Sequence, residues 1–185
     1  MKIDILPGIS LYNNAFPNHA QLYDQLMAEL ELQQKHYRLA HGLVPMPRLT
    51  AFYGDPGTNY SYSGIKEIPL PWTPNLAQLR DRLNVRLRAK LNSVLCNHYR
   101  HGRDSVNWHA DAEPELHDRV VSVSLGAPRT FLLREGRTGQ AQPTVLTGGS
   151  VLVMTIASQQ IYQHSIPKET AAGPRLNLTF RTVRH

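Results

Sequence analysis

Two leucine-striped segments in the first half of the chain, followed after Leu91 by short alternating runs, predict an α+β domain built on a β-sandwich or barrel. Gly and Pro punctuate those later runs, as turns between strands require. At 185 residues, 41% hydrophobic and 18% charged, the chain fits one domain whose core needs no covalent staple.

The elements follow in order. The opening MKIDILPGIS is interrupted by Pro7 and Gly8 before any apolar run long enough for a signal peptide, so none is expected. Asn18 is a candidate cap for a first helix, with Leu22, Leu26 and Leu30 at four-residue spacing on one face. In RLTAFYGDPGTNYSYSG two aromatic-rich runs flank Gly54–Asp55–Pro56–Gly57, which predicts a hairpin. A second helix is expected from Thr73 as cap, Pro74 in the first turn and the stripe Leu76, Leu79, Leu83, Leu87, Leu91. Its other face carries Arg82, Arg86 and Lys90, read as a solvated face. Beyond Leu91, VVSVSLG, SVLVMTI and LNLTFRTV alternate with period two, as strands do. No internal repeat or linker divides the sequence.

Composition narrows the partners. The single cysteine, Cys96, excludes an intrachain disulfide and suits a reducing compartment, so a cytoplasmic protein is expected, or a nuclear one in a eukaryote. No run of about 18 apolar residues occurs, so no membrane span is expected. The net charge of +6 and pI near 9.7 come largely from arginine and are compatible with a polyanion such as nucleic acid. No long exposed apolar stripe calls for a partner subunit, so a monomer is expected.

The last strand is the most informative. Arg175, Asn177, Thr179 and Arg181 alternate with Leu176, Leu178 and Phe180, so the polar set projects from one face. That face is either in water or lining a barrel, where the planar arginine fork would take a carboxylate bidentately. In LCNHYRHGRDSVNWHAD, Asn97 and Tyr99 share a strand face, and His109 and Asp111 stand two apart, pointing the same way in extended chain. Two histidines and a carboxylate on one face of a metal leave positions open, as iron(II) needs when it binds a co-substrate and oxygen. The third ligand comes from another strand, with His101, His117 and His164 the candidates. His164, in IYQHSIP, sits in a strand-like run shortly before Arg175, which predicts neighbouring strands for the two. Trp108 and Cys96 alternate away from these residues and read as core; Arg100, His101 and Arg103 read as a solvated turn or a phosphate contact.

Taken together and in order, RLTAFYGDPGTNYSYSG, LCNHYRHGRDSVNWHAD, SVSLGAPRTF, HSIPKE and PRLNLTFRTV resemble the AlkB family of Fe(II)/2-oxoglutarate-dependent dioxygenases, from about Arg48 to Arg181. LCNHYRHG and RLNLTFR are most similar to its single-strand-preferring animal branch. The resemblance implies a double-stranded β-helix, or jelly-roll, with N-terminal helices packed on one sheet. It implies one domain over 1–185, with a hairpin nucleotide-recognition lid at about 45–65 and a catalytic core at 92–183. His109, Asp111 and His164 match the iron ligands. Arg175 matches the arginine that takes the far carboxylate of 2-oxoglutarate, with Tyr99 and Asn177 assisting, while Arg181 and Asn97 match residues near the keto acid. Tyr62 matches the aromatic that stacks on the flipped base; Glu113 is placed to meet an exocyclic amine, and Tyr60 and Arg48 the nucleic-acid backbone.

The implied reaction is oxidative demethylation of 1-methyladenine or 3-methylcytosine in DNA or RNA, using Fe(II), 2-oxoglutarate and O2 and releasing formaldehyde, succinate and carbon dioxide. Those methylated bases are cationic, and a cation over an aromatic ring gains about 1 kcal/mol or more once desolvated. Duplex-reading relatives insert an aromatic wedge upstream of the position of Arg48. RLAHGLVPMP offers Leu39, Leu43 and Met46 there, which favours a single-stranded substrate. Two other classes stand against this reading: an oxygenase with the same iron site acting on a protein or small molecule, and a metal- or nucleic-acid-binding barrel without turnover. A pure binding module has no need of Asn97, Tyr99, Arg175 and Arg181 together.

Overall fold

The computed structural model describes residues 1–39, 42–58, 60–62 and 65–184; the side chains of Leu39 and of residues 60–67 lie outside what is described. In chain order the elements are β1 (Lys2–Leu6), β2 (Ile9–Tyr12), α1 (His19–Glu29), β3 (His36–Leu39), β4 (Gly42–Pro45), β5 (Leu49–Gly54), β6 (Tyr60–Tyr62) and β7 (Ile65–Glu67). They continue with α2 (Pro74–Leu87), β8 (Ser93–Tyr99), β9 (Val106–His109), β10 (Leu116–Gly126), β11 (Arg129–Glu135), β12 (Gln142–Leu146), β13 (Val151–Thr155), α3 (Ile156–Ile161), β14 (Tyr162–Ile166) and β15 (Arg175–Val183). Among the described residues the strands form a larger sheet, β1-β2-β13-β10-β15-β8-β5, and a smaller one, β12-β11-β14-β9, with hairpins β3-β4 and β6-β7 outside both.

Every strand neighbour is antiparallel, so side chains alternate cleanly between the two faces of each sheet. On β15, Leu176, Leu178 and Phe180 join Val94, Cys96, Val121 and Val123 against the helical layer, which supplies Leu26, Leu76, Leu79 and Leu83. Burying each of these large side chains stabilises the fold by about 1.5–3 kcal/mol. The opposite face of the same strand looks towards the smaller sheet, and there the site forms. This is the jelly-roll with helices on one sheet that the resemblance implies.

Several sequence expectations need correction. The α2 stripe does not run helically to Leu91. Thr73 Oγ1 accepts from the Leu76 N–H at 3.4 Å and Pro74 opens the helix, but Arg88 takes a left-handed conformation (φ 49°) and ends it. Leu91 still reaches the core because the Asn84 amide accepts from its N–H at 2.8 Å and donates to its carbonyl at 3.2 Å. Asn18 precedes α1 without a side-chain capping bond.

The hairpin expected across Gly54–Gly57 does not form. β5 is instead the edge strand of the larger sheet, paired with β8 from Leu49↔His98 to Gly54↔Ser93, because its Ala51 and Tyr53 pack into the helical core. Residues 45–65 are therefore divided among the end of β4, the edge strand β5 and the first strand of the β6-β7 hairpin. The larger sheet also takes in the N-terminal strands: β1 and β2 extend it through β13, register Met154↔Ile9 to Val151↔Tyr12.

Candidate metal and 2-oxoglutarate site

Between the two sheets lies a cavity of about 420 Å³. Its walls include Asn97 and Tyr99 from β8, His109 from β9, His164 from β14, and Arg175, Asn177, Thr179 and Arg181 from β15. Asp111 and Glu113, just past β9, and Arg48, just before β5, complete the set. The polar face of β15 therefore lines the interior rather than standing in water.

His109 and His164 are direct partners across β9 and β14. Their ring centroids are 4.2 Å apart, and His164 Nε2 lies 3.9 Å from Asp111 Oδ2. One ligand atom from each of His109, Asp111 and His164 falls within 4.8 Å of the others, close enough for one ion to meet all three. Each ligand is prepared for that role. His109 Nδ1 is 2.8 Å from the Asn107 carbonyl, which can only accept, so Nδ1 carries the proton and Nε2 keeps its lone pair for a metal. Burial, reinforced by His109 and Arg181, pushes the His164 imidazolium down to about 3, leaving the neutral ring that a metal requires. Burial opposes ionisation of Asp111, but Arg181, whose Nη2 donates to Oδ1 at 2.7 Å, together with both histidines holds the carboxyl well below the usual range. The Gln159 amide oxygen accepts the Asp111 N–H at 2.9 Å, and Phe131 stacks on His164 at 5.1 Å.

The other end of the cavity is an anion site. Arg175 is fully buried, and desolvation lowers its guanidinium to about 10, still protonated at neutral pH. Its Nη2 donates to Ser124 Oγ at 2.9 Å and Asn177 Oδ1 at 2.8 Å, whereas Nε and Nη1 have no hydrogen-bond partner among the described residues. Donors left open on a buried cation call for an anionic acceptor, and a carboxylate fits that fork. Tyr99 lies directly across the strand pair from Arg175, and the guanidinium carbon is 5.3 Å from its ring centroid. Open cationic donors at one end and a His–Asp–His set at the other fit 2-oxoglutarate beside iron(II).

Other placements differ from expectation. Arg48, expected at a nucleic-acid backbone, is buried in the cavity wall: Nε donates to Asn97 Oδ1 at 2.8 Å and Nη1 to Tyr37 Oη at 3.3 Å. Its guanidinium lines the cavity rather than the outer surface. His164 and Arg175 lie on facing sheets, not neighbouring strands, because the segment joining them crosses between sheets. Trp108 is only half-buried, with Arg134 4.1 Å over its ring. Arg100 is held by Asp104 at 2.8 Å. Met46 is core, packed with Phe52 and Leu95. Glu113 reaches the cavity as expected, while the side chains of Tyr60 and Tyr62 fall outside the described residues and only their backbone, in β6, is placed. Sequence reasoning passed over Ser122, Ser124, Phe131 and Gln159. The serines had a signal, alternating with valines in VVSVSLG; Gln159 had none, since α3 is a single short turn between two apolar strands.

The profile of the 2OG-Fe(II) oxygenase superfamily matches residues 8–181. Mouse (Mus musculus) "DNA oxidative demethylase ALKBH2" is 35% identical over 178 residues, covering 86% of this chain and 74% of that protein. The chain belongs to the AlkB family of 2OG-Fe(II) oxygenases. Mouse "Alpha-ketoglutarate-dependent dioxygenase alkB homolog 3" is 38% identical over 175 residues, 88% of this chain, and the chain spans 60% of that relative's length. The solved structure of OsALKBH1 superposes with a TM-score of 0.66 over 97% of this chain and all of that one; at 20% identity it shows the shared fold.

Proposed function

We propose that this AlkB-family chain is an Fe(II)- and 2-oxoglutarate-dependent oxidative demethylase of N-alkylated nucleobases, 1-methyladenine and 3-methylcytosine, in single-stranded DNA or RNA. The observation that carries the reading is one cavity holding a compact His109–Asp111–His164 donor set and a buried Arg175 with open donors. The mouse relative described as a DNA oxidative demethylase supports the nucleic-acid substrate.

Iron(II), 2-oxoglutarate and dioxygen supply the oxidising power, which hydroxylates an N-methyl carbon and leaves succinate and carbon dioxide. Arg175, backed by Ser124 and Asn177, takes the far carboxylate of 2-oxoglutarate and so sets how its other end lies beside the metal ligands. Arg181 keeps Asp111 ionised and oriented. Facing sheets and the apolar contacts of Phe131 and Ile166 exclude bulk water from the reacting atoms. The hydroxymethylated base then releases formaldehyde and is restored.

A flipped base costs a few kcal/mol to extract from a duplex and less from a single strand. The β3-β4 hairpin presents exposed Leu43 and Val44, while its Tyr37 accepts from Arg48 in the cavity wall and Met46 is in the core, so none of the three positions Tyr37, Leu43 and Met46 offers an exposed aromatic wedge. That supports single strands. Glu113 is assigned to the exocyclic amine, and Tyr62 to stacking on the cationic base. Among the described residues no helix is long and apolar enough to cross a membrane. A monomer in a reducing compartment, cytoplasmic or nuclear, completes the reading.

The test is formaldehyde release from a single-stranded oligonucleotide carrying 1-methyladenine, beside the same strand in a duplex and a His109→Ala control. Release that needs iron(II), 2-oxoglutarate and oxygen, disappears in the variant and is faster on the single strand is expected. Iron-dependent succinate without formaldehyde would remove the nucleobase substrate and favour a protein or small-molecule one.

A further inference from the structure

Arg129, in the GAPRTF segment at the start of β11, is a fully buried cation that the catalytic reading leaves unused. It is not part of the cavity wall. Its guanidinium meets three acceptors in two separate segments of chain. Nε donates to Glu169 Oε2 at 2.9 Å, and Nη2 donates to the Asp104 carbonyl at 2.9 Å and the Pro167 carbonyl at 2.6 Å. Asp104 belongs to the segment linking β8 to β9, between Tyr99 and His109. Pro167 and Glu169 belong to the segment linking β14 to β15, between His164 and Arg175.

The two segments are also fastened to each other. The Glu169 N–H donates to the Gly102 carbonyl at 2.7 Å, and a Cβ at Gly102 would overlap the Glu169 carbonyl, so only glycine allows this approach. The Asp104 carboxylate gathers the backbone N–H and guanidinium of Arg100, and Glu169 accepts from the Thr130 N–H. Finally, the Arg129 guanidinium carbon lies 5.4 Å from the centroid of the Tyr99 ring, the ring that Arg175 approaches to 5.3 Å.

We propose that Arg129 is a positioning residue for 2-oxoglutarate: it fixes the Tyr99 ring and the segment leading into Arg175, and thereby presets the carboxylate-binding end of the cavity. The inference rests on the reading of Tyr99 and Arg175 as that end. A planar fork is required because three acceptors in different directions must be met at once. A lysine would keep the charge and lose the geometry. The metal end is held by other means, through direct β9–β14 pairing, Asn107, Gln159 and Arg181. Loss of Arg129 therefore falls on 2-oxoglutarate and spares the metal.

The experiment measures manganese(II) affinity, and 2-oxoglutarate affinity on the manganese-loaded protein, by titration calorimetry for wild type, Arg129→Gln, Arg129→Lys and Arg175→Met. The 2-oxoglutarate Kd is expected to rise about ten-fold in Arg129→Gln and about three-fold in Arg129→Lys, with manganese affinity within about two-fold of wild type. In turnover, KM for 2-oxoglutarate rises while kcat at saturation changes less. Arg129→Lys matching wild type would overturn the positioning role in favour of simple charge. Parallel loss of metal and 2-oxoglutarate affinity would reduce Arg129 to a fold residue, and Arg129→Lys reads this even if the glutamine variant does not fold. Undiminished 2-oxoglutarate binding in Arg175→Met would instead strike the carboxylate-site reading, and the inference with it.

Discussion

At Asp111, burial and charge pull in opposite directions. Desolvation alone would raise its carboxyl, but the Arg181 guanidinium at 2.7 Å holds it ionised and ready for a cation. Removing that guanidinium leaves a buried carboxylate without its strongest partner, which costs more than a surface pair would. Arg181→Met is therefore expected to weaken metal binding by about 10–100-fold. Manganese(II) titration of the variant checks this, and an unchanged affinity would assign Arg181 elsewhere. Strand alternation put His109 and Asp111 on one side and Arg175 on the polar face of its strand, while the choice of His164 among three histidines came from the resemblance to the AlkB family. Arg48 was not. Its partners Asn97 and Tyr37 lie 49 and 11 residues away in sequence, and only folding shows that it turns inward.

The elements show where periodicity informs and where it stops. The β15 alternation gave both faces correctly, since a two-residue period fixes direction once the strand is recognised. The same reasoning failed for Leu49–Gly54, because nothing local distinguishes a hairpin arm from an edge strand that pairs with β8, from Gly54↔Ser93 to Leu49↔His98. The N-terminal strands β1 and β2 were missed for a related reason, as their partner β13 is remote. Strand β8 also carries a residue on its helix-facing side that the catalytic reading does not use. His98 packs beneath α1, with Nε2 3.2 Å from the Tyr23 hydroxyl, and burial lowers its pKa from the ordinary 6.5. Asp104 pulls the other way, but less strongly. Below about pH 6.5 the unfolded chain takes up a proton that the native ring resists, so stability is present above that pH and is lost as pH falls. His98→Leu is expected to shrink the drop in Tm between neutral and mildly acidic solution, with His164 keeping its own share. An equally steep drop in the variant would show that α1 packing does not depend on His98 ionisation.

On the scale of the whole molecule, the helices cover one face of the larger sheet and the smaller sheet covers the other. That arrangement leaves the cavity as the meeting place of residues drawn from β8, β9, β14 and β15. The His109–Asp111–His164 end and the Arg175 end share it, so a co-substrate meeting both would be held in one orientation. The net charge of +6 is compatible with a polyanionic partner. The account's central claim is that oxidation of 2-oxoglutarate is coupled to demethylation of a nucleobase. The most direct measurement follows succinate and formaldehyde together, with a single-stranded 1-methyladenine oligonucleotide in excess. The account expects the two products in near-equal amounts, both abolished by His109→Ala, and succinate falling sharply when the unmethylated strand is substituted. Succinate formed at the same rate with either strand, and no formaldehyde with the methylated one, would contradict it.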